Sequence, residues 1–268
     1  MPYVFTNGIR LVYDRWGRGE RVLLIMGSGA GGRVWTLHQT PALTRAGYQA
    51  ITYDHRGIPP SDTPPGRYTL PDMVADAKGV IEALGAAPCR VVGYSMGAMV
   101  AQRLAVDHPE LVHCAVLIAT KSRSDATRDL FTRAHQALAA SGVTPPRDYE
   151  AAMTALQMLS PATLNDDDAA GPWLDLFRHA QSDRDGPNRQ LWADDPADQR
   201  EALRRVGVPC RVIAFSDDLI APPHLGREVA AAIPDCDYVE IERAGHFGHL
   251  ERPDEVNGAI LEFLKRTD

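Results

Sequence analysis

Three short stretches of this chain place reactive side chains where a sharp turn would expose them. Gly93-Tyr94-Ser95-Met96-Gly97 sets a serine between two glycines. Ser216-Asp217-Asp218 ends an apolar run with two carboxylates, and Gly245-His246-Phe247 puts a histidine after another run. A serine hydroxyl is a weak nucleophile alone. It needs a base to take its proton, and the base needs an acid to hold its tautomer. The G-x-S-x-G spacing suits the nucleophile for a steric reason. A strand-to-helix reversal pushes the hydroxyl out at the strand end, and the glycines let strand and helix close around it. The helix N-terminus adds partial positive charge beside the reacting group. With nine serines and 22 glycines in 268 residues, the motif rarely arises by chance.

Among the other histidines, His38, His108, His113 and His135 lie in or beside helix-like segments, and His55 follows an earlier strand. His246 differs in two ways: it closes the order serine, acid, histidine, and it lies near the C-terminal end. The local residues leave both Asp217 and Asp218 open as the acid. In that role the carboxylate fixes the imidazole tautomer and stabilises the imidazolium as the serine attacks.

Such groups need rigid elements beneath them. Continuous apolar runs at 22–26, 49–53, 89–93, 114–119 and 209–215, and a weaker one at 238–241, read as strands covered on both faces. Residues 2–6 and 9–15 read as strands with one exposed face, the second from the alternation of Ile9, Leu11 and Tyr13. Helix-like segments lie between several runs. In residues 71–84, Met73, Val74, Ala77, Val80, Ile81 and Leu84 form one stripe that stops at Gly85. Strands alternating with helices predict an α/β domain with a mainly parallel sheet.

Residues 122–206 break this alternation. They are rich in Ala, Asp, Arg and Gln, with apolar residues at helical spacings, and read as a helical insertion. The core is then 1–121 with 207–268. The Asp166-Asp167-Asp168 run lacks the Gly and distal Glu of a calcium loop and reads as a solvated loop or helix start. No metal site is expected.

Composition narrows the function classes. The chain carries 35 acidic residues against 28 Lys and Arg, a formal charge of -7. No basic run stands out, so binding to nucleic acid or to an anionic membrane is disfavoured. No apolar run approaches a membrane span, and no N-terminal signal pattern is visible. The four cysteines are far apart, without a C-x-x-C pair, and are expected to be buried free thiols. A soluble, cytoplasmic protein acting on a small molecule is the expectation; the sequence carries no signal of oligomeric state.

Taken in order, six segments resemble the α/β-hydrolase superfamily, particularly its small esterase, lactonase and cofactor-free haloperoxidase-like (perhydrolase) members. Met26-Gly27-Ser28-Gly29 with Trp35 resembles the H-G-x motif. Tyr53-Asp54-His55-Arg56-Gly57 with Ser61 resembles D-x-R-G-x-G-x-S, and Ser95 stands at the nucleophile turn. Asp218 with Pro222 resembles D-x-x-x-P, and Gly245-His246 with Glu251 and Pro253 resembles G-H-x-x-x-x-E-x-P. Residues 256–264 resemble the closing amphipathic helix. Met26 departs from the pattern by replacing a structural His, and Pro59-Pro60 by replacing the x-G before Ser61.

The resemblance implies an eight-stranded, mainly parallel sheet flanked by helices, with residues 122–206 as a helical lid. It implies Ser95 as nucleophile, His246 as base then acid, and Asp218 rather than Asp217 as orienter. The backbone N–H groups of Ser28 and Met96 would form the oxyanion hole, and no cofactor is needed. Tyr94, Trp35, Met153, Trp173, Phe177 and His179 are the expected pocket lining, with Met158 and Met96 as further candidates. Ester or lactone cleavage follows. The same groups also serve perhydrolysis, C–C bond hydrolysis or cyclisation of a biosynthetic intermediate, because fold and triad do not fix the acyl acceptor. A ligand-binding protein on the same scaffold would have no physical need for an oriented imidazole. Branches that release halide or open epoxides place Asp where Ser95 stands.

Overall fold

In the computed structural model, residues 1–179, 185–193 and 197–267 are described. Each apolar run forms a strand: β1 (Tyr3–Thr6), β2 (Ile9–Trp16), β3 (Arg21–Ile25), β4 (Gln49–Tyr53), β5 (Cys89–Tyr94), β6 (Val112–Ile118), β7 (Cys210–Phe215) and β8 (Cys236–Ile241). They build one eight-stranded sheet in the order β1-β2-β4-β3-β5-β6-β7-β8. β2 is antiparallel to both neighbours, and the other pairings are parallel. This is the α/β-hydrolase fold. Every residue of β5 and β7 is buried, which explains their unbroken apolar character.

Helices cover both faces. Those of the core are α1 (Gln39–Arg45), α2 (Leu70–Ala83) and α3 (Met96–Asp107). In the insertion come α4 (Ala126–Ser141), α5 (Arg147–Met158), α6 (Pro161–Leu164), α7 (Asp167–His179), α8 (Asp185–Gln190) and α9 (Arg200–Leu203). The chain closes with α10 (Pro223–Ala232), α11 (Gly248–Glu251) and α12 (Pro253–Arg266). α2 shows how locally these elements are specified. Thr69 and Asp72 form a reciprocal capping box, and Gly85 follows its end at φ +57°.

Two apolar clusters lie against the sheet. One joins Leu23, Ile25, Val91, Leu117 and Val212 to α2 and α3. The other joins Val22, Leu24, Val92, Val116 and Phe215 to Trp35 and α12. The stretch between β6 and β7 packs differently. α4 buries no residue, α7 only Ala170, and α5 only Ala151 and Ala155. Leu138, Leu156 and Leu176, which fall at helical spacings, are 39%, 54% and 56% exposed. Short helices on the outside of a core cannot bury apolar residues all round. At the far end of this stretch, Leu203 and Val206 return to the first core cluster. A bond from the Gln199 amide to the Ser122 carbonyl (2.7 Å) closes its neck. No helix among the described residues is long and apolar enough to cross a membrane.

Candidate active site

Ser95 sits between β5 and α3 with φ +54° and ψ −119°. A left-handed backbone at a non-glycine residue costs about 1–3 kcal/mol and survives only where its surroundings enforce it. Here they do. The Ser95 amide donates to the Ile118 carbonyl on β6 (2.9 Å). A Cβ on Gly93 would lie 2.3 Å from the Gly97 carbonyl oxygen, and one on Gly97 would lie 2.1 Å from that of Ile25. Both glycines are therefore required by close backbone approach, and together they turn the Ser95 side chain out at the sheet edge.

His246 follows β8 and Asp218 follows β7, so both reach the same edge. His246 Nδ1 lies 2.8 Å from Asp218 Oδ2, and Nε2 lies 3.0 Å from Ser95 Oγ. A carboxylate only accepts, so Nδ1 carries the proton and Nε2 is left to accept from the serine hydroxyl. Asp218 Oδ1 accepts from the Ile220 and Ala221 amides, each at 2.8 Å. These bonds orient Asp218; neighbouring Asp217 instead donates its amide to the Ala244 carbonyl (3.0 Å) and is only half-buried. His246 is 3% and Asp218 2% exposed.

Behind them lies an aromatic layer. Tyr94 donates its hydroxyl to the His246 carbonyl (3.0 Å) and packs its ring 4.1 Å from that of His249. Burial, with Asp218 and Glu251 adding to it, raises the Tyr94 phenol far above its ordinary value, so it remains a donor. Burial pushes His249 down to about 3, with His246 and His38 adding to the effect, so its imidazole is neutral.

The loop after β3 approaches the serine through Gly27, where a Cβ would lie 3.0 Å from the Tyr94 ring. Met26 stands in the place of a family histidine. His55 anchors this loop from the next one, with Nε2 2.9 Å from the Met26 carbonyl. Burial lowers the His55 imidazole, leaving it neutral with an N–H to donate. The Pro59-Pro60 departure leaves its loop closed as well. Ser61 Oγ donates to the Asp54 carbonyl (2.7 Å) and accepts from the Val12 amide (2.8 Å).

A cavity of about 220 Å³ opens over Ser95. Ser28 and Met96, the two expected oxyanion residues, line it together with the serine. Among the described residues, no group of three or more His, Cys, Asp or Glu side chains is placed to hold a metal ion.

A family model described as the alpha/beta hydrolase family matches residues 22–259. The chain belongs to that family. Within it, a Mycobacterium tuberculosis protein named as a non-heme bromoperoxidase, BpoC, is 45% identical over 257 residues, covering 96% of this chain and 98% of that one. The crystal structure of BpoC from strain H37Rv superposes with a TM-score of 0.92 at 44% identity, covering 96% of each chain. The enol-lactonase of Burkholderia xenovorans LB400 superposes with a TM-score of 0.86 at 27% identity, covering 98% of this chain and all of the other.

The expected pocket residues of this family member fare unevenly. Met96 and Met158 line the cavity over Ser95. Trp35 and Tyr94 do not: they are 0% and 2% exposed, packed behind the serine in the core. Trp173 and Phe177 pack their rings at a tilt against Phe247, with centroids 6.0 and 6.1 Å away, next to His246 but outside the inner cavity. Phe177 borders a second, outer cavity of about 610 Å³ that shares Ser28, His135 and Leu191 with the first. Met153 lines neither cavity. His179 is exposed, with Nδ1 2.7 Å from its own helix at the Asp175 carbonyl. For the aromatic residues one reason holds: they pack on the nearest apolar surface, which for Trp173 and Phe177 is Phe247 and for Trp35 and Tyr94 is the sheet.

Other residues form the lining. Met99, Ala119 and Ile220 come from just past β5, β6 and β7, and Phe131, His135, Gln157 and Gln190 from the insertion. The first three carried a usable signal, since ligands in open α/β sheets sit beyond the carboxyl ends of strands. Two tethers were not foreseen. Glu251 Oε1 accepts from the Ser160 amide (3.0 Å), Ser160 Oγ (2.8 Å) and Thr163 Oγ1 (2.6 Å), while Oε2 accepts from the Gly245 amide (2.7 Å). This carboxylate clasps the loop of His246 to the start of α6. The second tether is Gln190.

Proposed function

We propose that this chain is a serine hydrolase that cleaves a carboxylic ester or lactone of a small molecule through an acyl-enzyme. The observation that supports it most is the unbroken Ser95–His246–Asp218 hydrogen-bond array opening into a cavity. In this reading, Ser95 Oγ attacks the substrate carbonyl as His246 Nε2 takes its proton. The Ser28 and Met96 amides receive the oxyanion, which in related chemistry makes each such donor worth about 3 kcal/mol. The tetrahedral species collapses, and the leaving alcohol takes the proton from His246. Water then attacks the acyl group by the same route and frees Ser95. Asp218 stays ionised and holds the imidazolium. The insertion acts as a lid, and its apolar lining from Phe131, Met158 and Leu191 favours a largely apolar acyl or alcohol group. The similarity to an enol-lactonase supports the lactone side of this reading. The four free thiols, three of them buried, suit a reducing compartment such as the cytoplasm.

A fluorophosphonate probe tests the proposal. Native protein is expected to label at Ser95, and Ser95→Ala to lose both labelling and ester turnover while keeping its melting temperature. Equal labelling of Ser95→Ala, or none of the native protein, would sink it.

The likeness to a protein named as a non-heme bromoperoxidase supports a second reading of the same site. Hydrogen peroxide would replace water at the acyl-enzyme and release a peroxy acid. Turnover in peroxide with mass analysis of the product separates the two: a peroxy acid supports the second, the free acid alone the first.

A further inference from the structure

Gln190 ends α8 in the insertion, is 1% exposed, and makes both of its side-chain hydrogen bonds to the core. Its Oε1 accepts from the Gly29 amide (2.7 Å), and its Nε2 donates to the Arg56 carbonyl (2.9 Å). We propose that Gln190 is a positioning residue for the oxyanion hole, so that the Ser28 donor is set only when α8 is docked. The inference rests on the serine-hydrolase reading above.

The covalent geometry supplies the first link. Gly29 follows Ser28, and its amide belongs to the peptide that joins the two. Gly29 sits at φ +75°, a conformation open to several orientations in a glycine-rich turn. Holding the Gly29 N–H fixes that peptide plane, so the Ser28 N–H, on the preceding peptide, can turn relative to it only through φ and ψ of Ser28. The donor of the Ser28 amide must lie within a narrow distance of the oxyanion to stabilise it.

The second link is the base on which Gln190 rests. Arg56 is clamped by Asp76 through two bonds, at 2.6 and 2.7 Å, and Asp76 is fully buried. The Arg56 carbonyl is thus a fixed point of the core. Next to it, α8 seats by backbone contact: a Cβ on Gly186 would fall 1.6 Å from the Gly57 carbonyl oxygen. That close approach sets α8 against the backbone beside Arg56, where Gln190 reaches its two partners. The side chain then spans from a rigid carbonyl to the loop that needs orienting. Its chemistry fits the task, because a primary amide offers an acceptor to Gly29 and a donor to Arg56 at once. Glutamate keeps only the acceptor, and methionine keeps the length with neither.

The test compares native protein, Gln190→Met and Gln190→Glu on p-nitrophenyl butyrate. It also measures the affinity of an aliphatic trifluoromethyl ketone, which forms an oxyanion with Ser95, and of the matching methyl ketone, which stays planar. For Gln190→Met, kcat is expected to fall about tenfold with KM nearly unchanged, less than the roughly hundredfold that deleting a donor costs. Affinity for the trifluoromethyl ketone is expected to fall by a similar factor and that for the methyl ketone to hold, since only the former mimics the transition state. Gln190→Glu, which keeps the acceptor for Gly29 but loses the donor to the Arg56 carbonyl, is expected to recover only part of kcat, and a near-native melting temperature of Gln190→Met guards against a folding defect. If native protein turns over the ester while Gln190→Met matches it in kcat, or if both ketones weaken equally, the positioning role is wrong and the hydrolase reading stands. If native protein neither turns over nor labels at Ser95, the hydrolase reading falls and takes this inference with it.

Discussion

At the carboxyl ends of β5, β7 and β8, His246 and Asp218 are 3% and 2% exposed, whereas α4, in the insertion, has no buried residue at all. The first region is held by backbone contacts that tolerate no side chain, at Gly93 and Gly97. The second is held by a few tethers, of which Glu251 and Gln190 reach the loops that position His246 and Ser28. The difference separates two requirements. Reacting groups need fixed distances, which a close-packed interior enforces. In the proposed function the insertion covers the cavity and needs freedom to admit a substrate, which sparser contacts allow. In this chain the two regions meet both at packed contacts, such as Trp173 and Phe177 on Phe247 and Gly186 on Gly57, and at polar bonds that single substitutions can remove.

Asp218→Asn sharpens the core side of the comparison and carries the largest expected effect. An amide in that place favours the wrong imidazole tautomer, so kcat is expected to fall about 10⁴-fold, as in serine enzymes generally. Circular dichroism and the melting temperature are expected to stay near native, and near-native turnover would show that Asp218 does not orient His246.

Glu251→Ala probes the junction. Four donors lose their acceptor, among them the Gly245 amide beside His246. Buried donors left unsatisfied cost about 1–3 kcal/mol, so denaturant unfolding should shift by that order. Hydrogen exchange is expected to rise in α6 and in the His246 loop together. A rise confined to α6 would mean the clasp does not join the two regions.

The smallest effect is expected behind the triad. Both ring nitrogens of His249 lack a partner in the fully buried layer of Trp35 and Tyr94. Folding holds its pKa near 3 against an ordinary 6.5, so the unfolded chain takes up a proton that the folded one refuses. Stability is therefore full above the ordinary value and declines as pH falls from there towards about 3. His249→Phe removes this liability and is expected to stabilise the chain by about 2 kcal/mol more at pH 5 than at pH 8. His55, lowered in the same direction, keeps some acid sensitivity in the variant. A gain independent of pH would refute the assignment.

The strands and the three site residues were legible because their signals are local. An apolar run covered on both faces reads as a buried strand wherever it lies, and β5 and β7 are buried throughout. Ser95 and Asp218 each follow such a run, His246 follows the weaker and only partly buried β8, and the direction of the strands carries all three to one sheet edge. The choice between Asp217 and Asp218 was not local; it came from the family spacing. In the structure the two amides beyond Asp218 hold its carboxylate.

The cavity lining was not legible in the same way. Phe131 and His135 on α4, and Trp173 and Phe177 on α7, both show the i, i+4 spacing of one helix face. Only the first pair turns to the inner cavity; the second packs against Phe247. Periodicity tells that a helix has an apolar face, never what that face meets.

By itself, then, the sequence determined the order of strands and helices, the sharp turn at Ser95 and the residues able to react, since backbone sterics and short-range burial patterns specify these within a few residues. Tertiary structure alone decided that His55 supports Met26, that Glu251 clasps α6 and that Gln190 reaches Gly29. Those partners lie 29, 91 and 161 residues apart in the chain. Their meeting depends on how whole elements pack, which no local pattern encodes.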